Sequence, residues 1–299
     1  AYGVVVNVDG TLCSVRDASD SGGHALYING SIAATEGNIP QIILDGATLT
    51  TEQGNGMYLA GYAETSIRNS TITSSSEGST GIEIRAGKLT ITDSTVTGGT
   101  GKFEAIPNGN GSTTANVALA VVQHTTKLPL EVTINSGEFT GGAALFQQNV
   151  QKNEDEAVAT IKLDVRDGNF VGQVYSENVE DFISGGTFSG DVSDYLAEEV
   201  DLIANSDGTY SVGAVTAENA AAQVGDNYYG TLEEAIAAAT DGQTVQVLKD
   251  LTISEKQTIS TGITLDLGGH TLTIAGPDDD DSIYVAPGED AEAAINVTI

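Results

Sequence analysis

Paired hydroxyls at one spacing are the best-ordered chemistry in this sequence. Thr48 and Thr50, Thr71 and Thr73, Thr95 and Thr97, and Thr271 and Thr273 each flank a single apolar residue. Alternate residues of an extended strand share a face, so each pair points away from its apolar neighbour. If the segments stack, the pairs line up as two rows of outward hydroxyls, with Glu138/Thr140 and Thr187/Ser189 as variants. Such a face offers hydrogen bonds to glycan hydroxyls or to ice, and it equally serves β propensity and solubility. Tyr58 and Tyr175 are expected to be exposed and to offer stacking for a sugar ring. The candidate ligand face is therefore Thr48, Thr50, Tyr58, Thr71, Thr73, Thr95 and Thr97.

Asp278, Asp279, Asp280 and Asp281 form the one dense acidic run, followed by Glu289, Asp290 and Glu292. A like-charge run ordinarily forms a solvated loop. As a site it would hold Ca²⁺, although it lacks the alternating carboxylates of an EF-hand and the glycines of a calcium nonapeptide. No other cofactor is implied. The lone Cys13 has no disulfide partner in the chain and lies between Leu12 and Ser14 in an alternating stretch, which suits a passive thiol.

Charge narrows the partners. With 42 acidic and 11 basic residues the formal net charge is −31, a field that repels phosphate and polyuronate backbones. Nucleic acid, anionic lipid and pectin-like polymers are poor partners on that ground, leaving neutral glycans, proteins and divalent cations open. No stretch reaches the 18 or so apolar residues of a membrane helix. The chain opens inside a strand-like segment, Tyr2 to Val6, and reads as a piece of something longer.

The elements that position these residues come from a repeat. An apolar residue, small or polar residues, and a second apolar residue five positions on recur as Leu44 to Leu49, Ile67 to Ile72, Ile91 to Val96, Ile134 to Phe139, Val165 to Phe170 and Ile183 to Phe188. A distant seventh copy is Leu267 to Leu272. First positions of the six clustered copies lie 23, 24, 43, 31 and 18 residues apart. The longest gap holds an insertion, Gly101 to Ala115, expected as an exposed loop. Alternating strands lead into and out of each copy, and its Asn, Asp and Gly residues permit a sharp bend. One such unit cannot bury its inward row alone, whereas neighbours about 4.8 Å away can. The expected architecture is all-β: a right-handed parallel β-helix, a solenoid with three short strands per coil. Leu49, Ile72, Val96, Phe139, Phe170 and Phe188 should share one internal row. A sandwich of hairpins would need tight two-residue turns, and few occur.

The pattern stops near residue 213, so residues 1–213 are assigned to this array and 214–299 to a second module. There Thr231, Glu233 and Glu234 suit a helix start, and Leu232, Ala235, Ile236 and Ala239 share a face, predicting a helix over about 231–240 that caps the start of a second β-helix.

Tyr229-Gly230-Thr231-Leu232-Glu233-Glu234-Ala235-Ile236, Val247 to Leu251 and Leu265 to Leu272 together resemble the opening of pectate-lyase-like β-helix modules in large secreted surface proteins of gut Firmicutes and Actinobacteria. Ile183 to Val192, continuing through Ala197, is similar to the closing coil of the same modules. The resemblance covers about a third of the chain and implies secretion, tandem display at the cell surface and neighbouring modules of the same chain. Lyases of this fold abstract a proton with a basic residue beside Ca²⁺ held by carboxylates. The arginines are Arg16, Arg68, Arg85 and Arg166; Arg68 and Arg166 share a repeat position but lie several units apart. Related glycosidases pair aspartates near a histidine, and His24, His124 and His270 stand in no such cluster. The functional expectation is a non-catalytic adhesive or spacer module that binds a host protein or neutral glycan. The alternatives are a carbohydrate-active enzyme fragment and a self-assembling filament subunit.

Overall fold

Short alternating segments form the strands, and the small residues between them form the bends. The computed structural model describes residues 5–8 and 11–14 as backbone, and 23–28, 39–52, 54–74, 76–108, 111–253, 256–274 and 283–285. Among the described residues strand accounts for 49% and helix for 6%, which makes the fold all-β. The chain divides into two units, Ala1–Ala197 and Glu198–Ile299. The hairpin of Asp201–Ala204 with Tyr210–Gly213, which the repeat pattern assigns to the first array, falls in the second unit.

In the first unit, successive strands join three parallel ladders in rotation. The first ladder contains Val5–Val8, Gln41–Asp45, Glu64–Arg68, Gly87–Thr92, Leu130–Ile134 and Ile161–Val165. The second contains Thr11–Ser14, Thr48–Thr51, Thr71–Thr73, Ser94–Thr97, the starts of Gly137–Gln147 and Asn169–Ser176, and Gly186–Phe188. The ends of those two long strands join Leu26–Ile28, Asn55–Leu59, Thr80–Ile84 and Val117–Val121 in the third.

Register carries like onto like. Leu49, Ile72, Val96, Phe139, Phe170 and Phe188 pair in sequence, all at most 1% exposed. The three phenylalanine rings stack with centroids 4.8 Å apart, each neighbouring pair nearly parallel, and such pairs add about 0.5–1.5 kcal/mol beyond area burial. Leu44, Ile67, Ile91, Ile134 and Val165 form a matching row on the first ladder.

The bend changes chemistry along the stack. In the first three copies the third position is left-handed, with φ of 68° at Gly46, 48° at Asn69 and 47° at Asp93. Serines then link successive bends: Ala47 N–H donates to Ser70 Oγ at 3.0 Å, and Ser70 N–H to Ser94 Oγ at 3.1 Å. In the next three copies the positive φ moves one residue on, to Gly137, Gly168 and Gly186. A Cβ at Gly168 would meet the Phe170 ring at 3.0 Å. Phenylalanine two residues later thus demands glycine there, for both space and backbone angle.

The middle strands of the third ladder are buried on both sides. Asn55–Leu59, Thr80–Ile84 and Val117–Val121 contain only buried residues. One side belongs to the internal core. On the other, Val117, Ala120, Val122, Ala143, Phe146 and Val150 form a separate apolar cluster with Phe103 and Ala105 of the insertion. The expected exposed loop is therefore a cover. Glu104–Ala105 pairs antiparallel with Thr114–Ala115, Phe103 meets Phe146 at 5.5 Å, and Thr113 and Thr114 are buried. A ladder with both faces apolar would otherwise expose one of them, which is the physical reason the insertion lies down.

The second unit contains the expected helix, Leu232–Ala238. Thr231 accepts the Glu234 N–H and Glu234 accepts the Thr231 N–H, each at 3.2 Å, closing a capping box. Its buried face, Leu232, Ala235 and Ile236, packs with Val245, Val247 and Leu265. Three strands here also have parallel partners 20, 21 and 26 residues on: Thr244–Val247 with Thr264–Asp266, Leu251–Ile253 with Leu272–Ile274, and Gln257–Ile259 with Ile283–Val285.

Candidate functional site

On the covered side of the third ladder, register aligns Tyr27, Tyr58, Glu83, Ala120, Phe146 and Tyr175. Glu83 and Arg85 share this side and are both 0% exposed. Buried charges persist only when paired and hydrogen-bonded. Glu83 accepts from the Thr113 backbone N–H at 2.9 Å and Thr113 Oγ1 at 2.6 Å on one oxygen. The other oxygen receives Ser112 Oγ at 2.5 Å, Asn55 Nδ2 at 3.1 Å and Thr114 Oγ1 at 3.2 Å. Arg85 donates to Tyr58 Oη and the Gly111 carbonyl, both at 2.8 Å, and to the Asn108 carbonyl at 3.1 Å. Its Nε lies 3.9 Å from Glu83 and has no hydrogen-bond partner. Six of these eight hydrogen bonds end on the insertion, so the two charges fasten it to the ladder.

Tyr58 corrects an expectation. It is 1% exposed, donates from its hydroxyl to the Gly111 carbonyl at 2.9 Å, and lies on the third ladder, away from the threonine rows on the second. Burial pushes its phenol above the ordinary value of 10.0, against the opposing pull of the Arg85 charge. Tyr175 is half-buried against Phe146, with ring centroids 5.6 Å apart.

Tyr58 instead supports an exposed ring. Tyr27 stacks on it with centroids 5.3 Å apart and planes 8° from parallel, and His24 stacks on both. His24 Nδ1 accepts the Asn55 N–H at 3.3 Å, which places the proton of the neutral ring on Nε2. Tyr27 remains 47% exposed. It borders a cleft of about 840 Å³ whose other wall is the insertion, including Glu104, Ile106, Asn108 and Ser112. That volume lies within the ~300–1,000 Å³ of small-molecule sites.

The six candidate threonines do align. Thr48, Thr71 and Thr95 form one register row and Thr50, Thr73 and Thr97 another. None is buried, and they make a flat hydroxyl surface on the second ladder. Arg68 and Arg166 are more than half exposed and paired with Asp45 at 3.5 Å and Asp164 at 2.7 Å. Asp278, Asp279, Asp280 and Asp281 lie outside the described residues. Among the described residues no group of three His, Cys, Asp or Glu side chains is placed to hold a metal ion, and no helix is long and apolar enough to cross a membrane.

Sequence reasoning missed the Glu83–Arg85 fastening because Gly81-Ile82-Glu83-Ile84-Arg85 reads as an ordinary half-exposed strand. The available signal lay in its neighbour: Val117-Ala118-Leu119-Ala120-Val121-Val122 has no polar residue in six, the mark of a strand covered on both faces. Comparison with protein-family models, with curated proteins and with solved structures gives no match.

Proposed function

We propose that the first unit is a right-handed parallel β-helix with three short strands per coil, and that the second opens another such array beneath its capped helix. On this reading the chain is a non-catalytic adhesive and spacer module of a secreted bacterial cell-surface protein, and the cleft beside Tyr27 is where it binds a host glycan or protein. Three in-register parallel ladders support the architecture, and the resemblance noted in the sequence supports the setting. The observation that carries the binding role is the cleft itself: an exposed ring on a pinned aromatic support, facing a wall of polar groups. The best-placed carboxylate nearby, Glu83, is saturated by five donor groups and covered, which makes it a fastener rather than an acid or base.

A combined array of immobilised glycans and host extracellular proteins tests the reading, run beside a polysaccharide turnover assay. Saturable binding without product release is expected. Release of reducing ends or unsaturated products would replace adhesion with catalysis.

A further inference from the structure

We infer that the Tyr27 cleft takes a short, neutral oligosaccharide, with one hexopyranose ring lying on the exposed face of Tyr27; this rests on the adhesive reading and gives it a site and a ligand class.

Three features select that ligand. The first is a flat apolar surface held still: Tyr27 is 47% exposed, and the ring beneath it, Tyr58, is anchored by Arg85 and the Gly111 carbonyl. A pyranose whose axial positions carry hydrogens presents a matching apolar face, and a preorganised ring loses little freedom on contact. The second is polar acceptors on the opposite wall: the Glu104 carboxylate, and the Ser112 hydroxyl oxygen, which keeps a lone pair while its proton goes to Glu83, suit the hydroxyl rim of a sugar. Ile106, 62% exposed, adds a second apolar contact beside them.

The third feature is charge. No lysine or arginine lines this cleft among the described residues, and Arg85, which holds Tyr58, is 0% exposed with its amino groups occupied by Tyr58, Gly111 and Asn108. A uronate, sulfate or sialic acid would therefore meet Glu104 and the field of a chain carrying −31 with no lysine or arginine in the cleft lining to offset them. Uncharged sugars escape that repulsion.

Saturation-transfer NMR and titration calorimetry on the whole chain test the inference, using neutral gluco-, galacto- and manno-configured tetrasaccharides and an oligogalacturonate of equal length. At least one neutral sugar should bind, with transfer strongest at the axial protons of one ring. Tyr27→Ala should weaken that binding about tenfold; Tyr27→Phe should retain it, and Tyr228→Ala, an exposed tyrosine of the second unit, should not change it. Neutral-sugar binding unchanged in Tyr27→Ala would overturn this site while leaving glycan adhesion standing. Failure of every neutral sugar would overturn the ligand class, and host-protein binding on the array would then keep the adhesive reading alive. Equal binding of the oligogalacturonate would overturn the charge selection. Circular dichroism of each variant separates lost contact from lost fold.

Discussion

Glu83 and Arg85 show how much a single pair can hold in place. Replacing Glu83 by Gln keeps its shape but leaves the Arg85 charge buried without a counter-ion, and it turns an amide N–H₂ toward groups that donate. Breaking a buried pair from one side costs about 3–5 kcal/mol, so Glu83→Gln should lose that much in chemical denaturation and speed amide exchange at Thr113, whose N–H is bound to the carboxylate. A loss below about 1 kcal/mol would show that the insertion is held mainly by its apolar contacts. Tyr58 gives a pH signature. Its folded pKa is raised by burial from 10.0, so folded and unfolded phenols are both protonated below that value and its contribution is whole. Above it the unfolded phenol ionises first, and stability falls as pH rises toward the folded value. The expected observation is one tyrosine whose phenolate absorbance appears later than the rest, and that component should vanish in Tyr58→Phe.

At the scale of the strand and bend, the repeat uses two solutions to one geometric problem. The early bends place Gly, Asn or Asp in the left-handed region and join neighbours through serine hydroxyls; the later bends use glycine one position on and fill the interior with stacked phenylalanines. Both were legible in part, since Asn-Ser-Thr-Ile and Asp-Gly-Asn-Phe differ visibly in sequence, but the coupling between glycine and ring was not. Gly168→Ala tests it. The new methyl group would sit 3.0 Å from the Phe170 ring and from the Gly137 carbonyl at a φ of 139°, and strained positions of this kind cost about 1–3 kcal/mol. Thermal denaturation should show the loss. Gly46→Ala provides the contrast, because nothing lies within 4 Å of a Cβ there and only the backbone angle opposes it.

For the molecule as a whole, charge is the dominant long-range term. A chain at −31 repels itself, and the described ion pairs outside the buried Glu83–Arg85 contact lie at the surface, where each contributes little. Added salt screens that repulsion over a Debye length of about 10 Å at 0.1 M. The melting temperature should therefore rise by a few degrees between about 10 mM and about 500 mM sodium chloride. A falling melting temperature would mean that local pairs outweigh the net field.

The ladders, the internal row from Leu49 to Phe188 and the capped helix were determined by the sequence alone, because they depend on alternation, bend residues and caps that recur at short range. The cover over the third ladder, the burial of Tyr58 and the cleft beside Tyr27 were decided only by the tertiary structure. Their contacts join residues 30 apart, from Glu83 to Thr113, and 53 apart, from Tyr58 to Gly111. Those pairings occur once and leave no period in the chain. A hydroxyl or carboxylate in a strand looks the same in sequence whether water or an insertion lies above it, and only packing decides which.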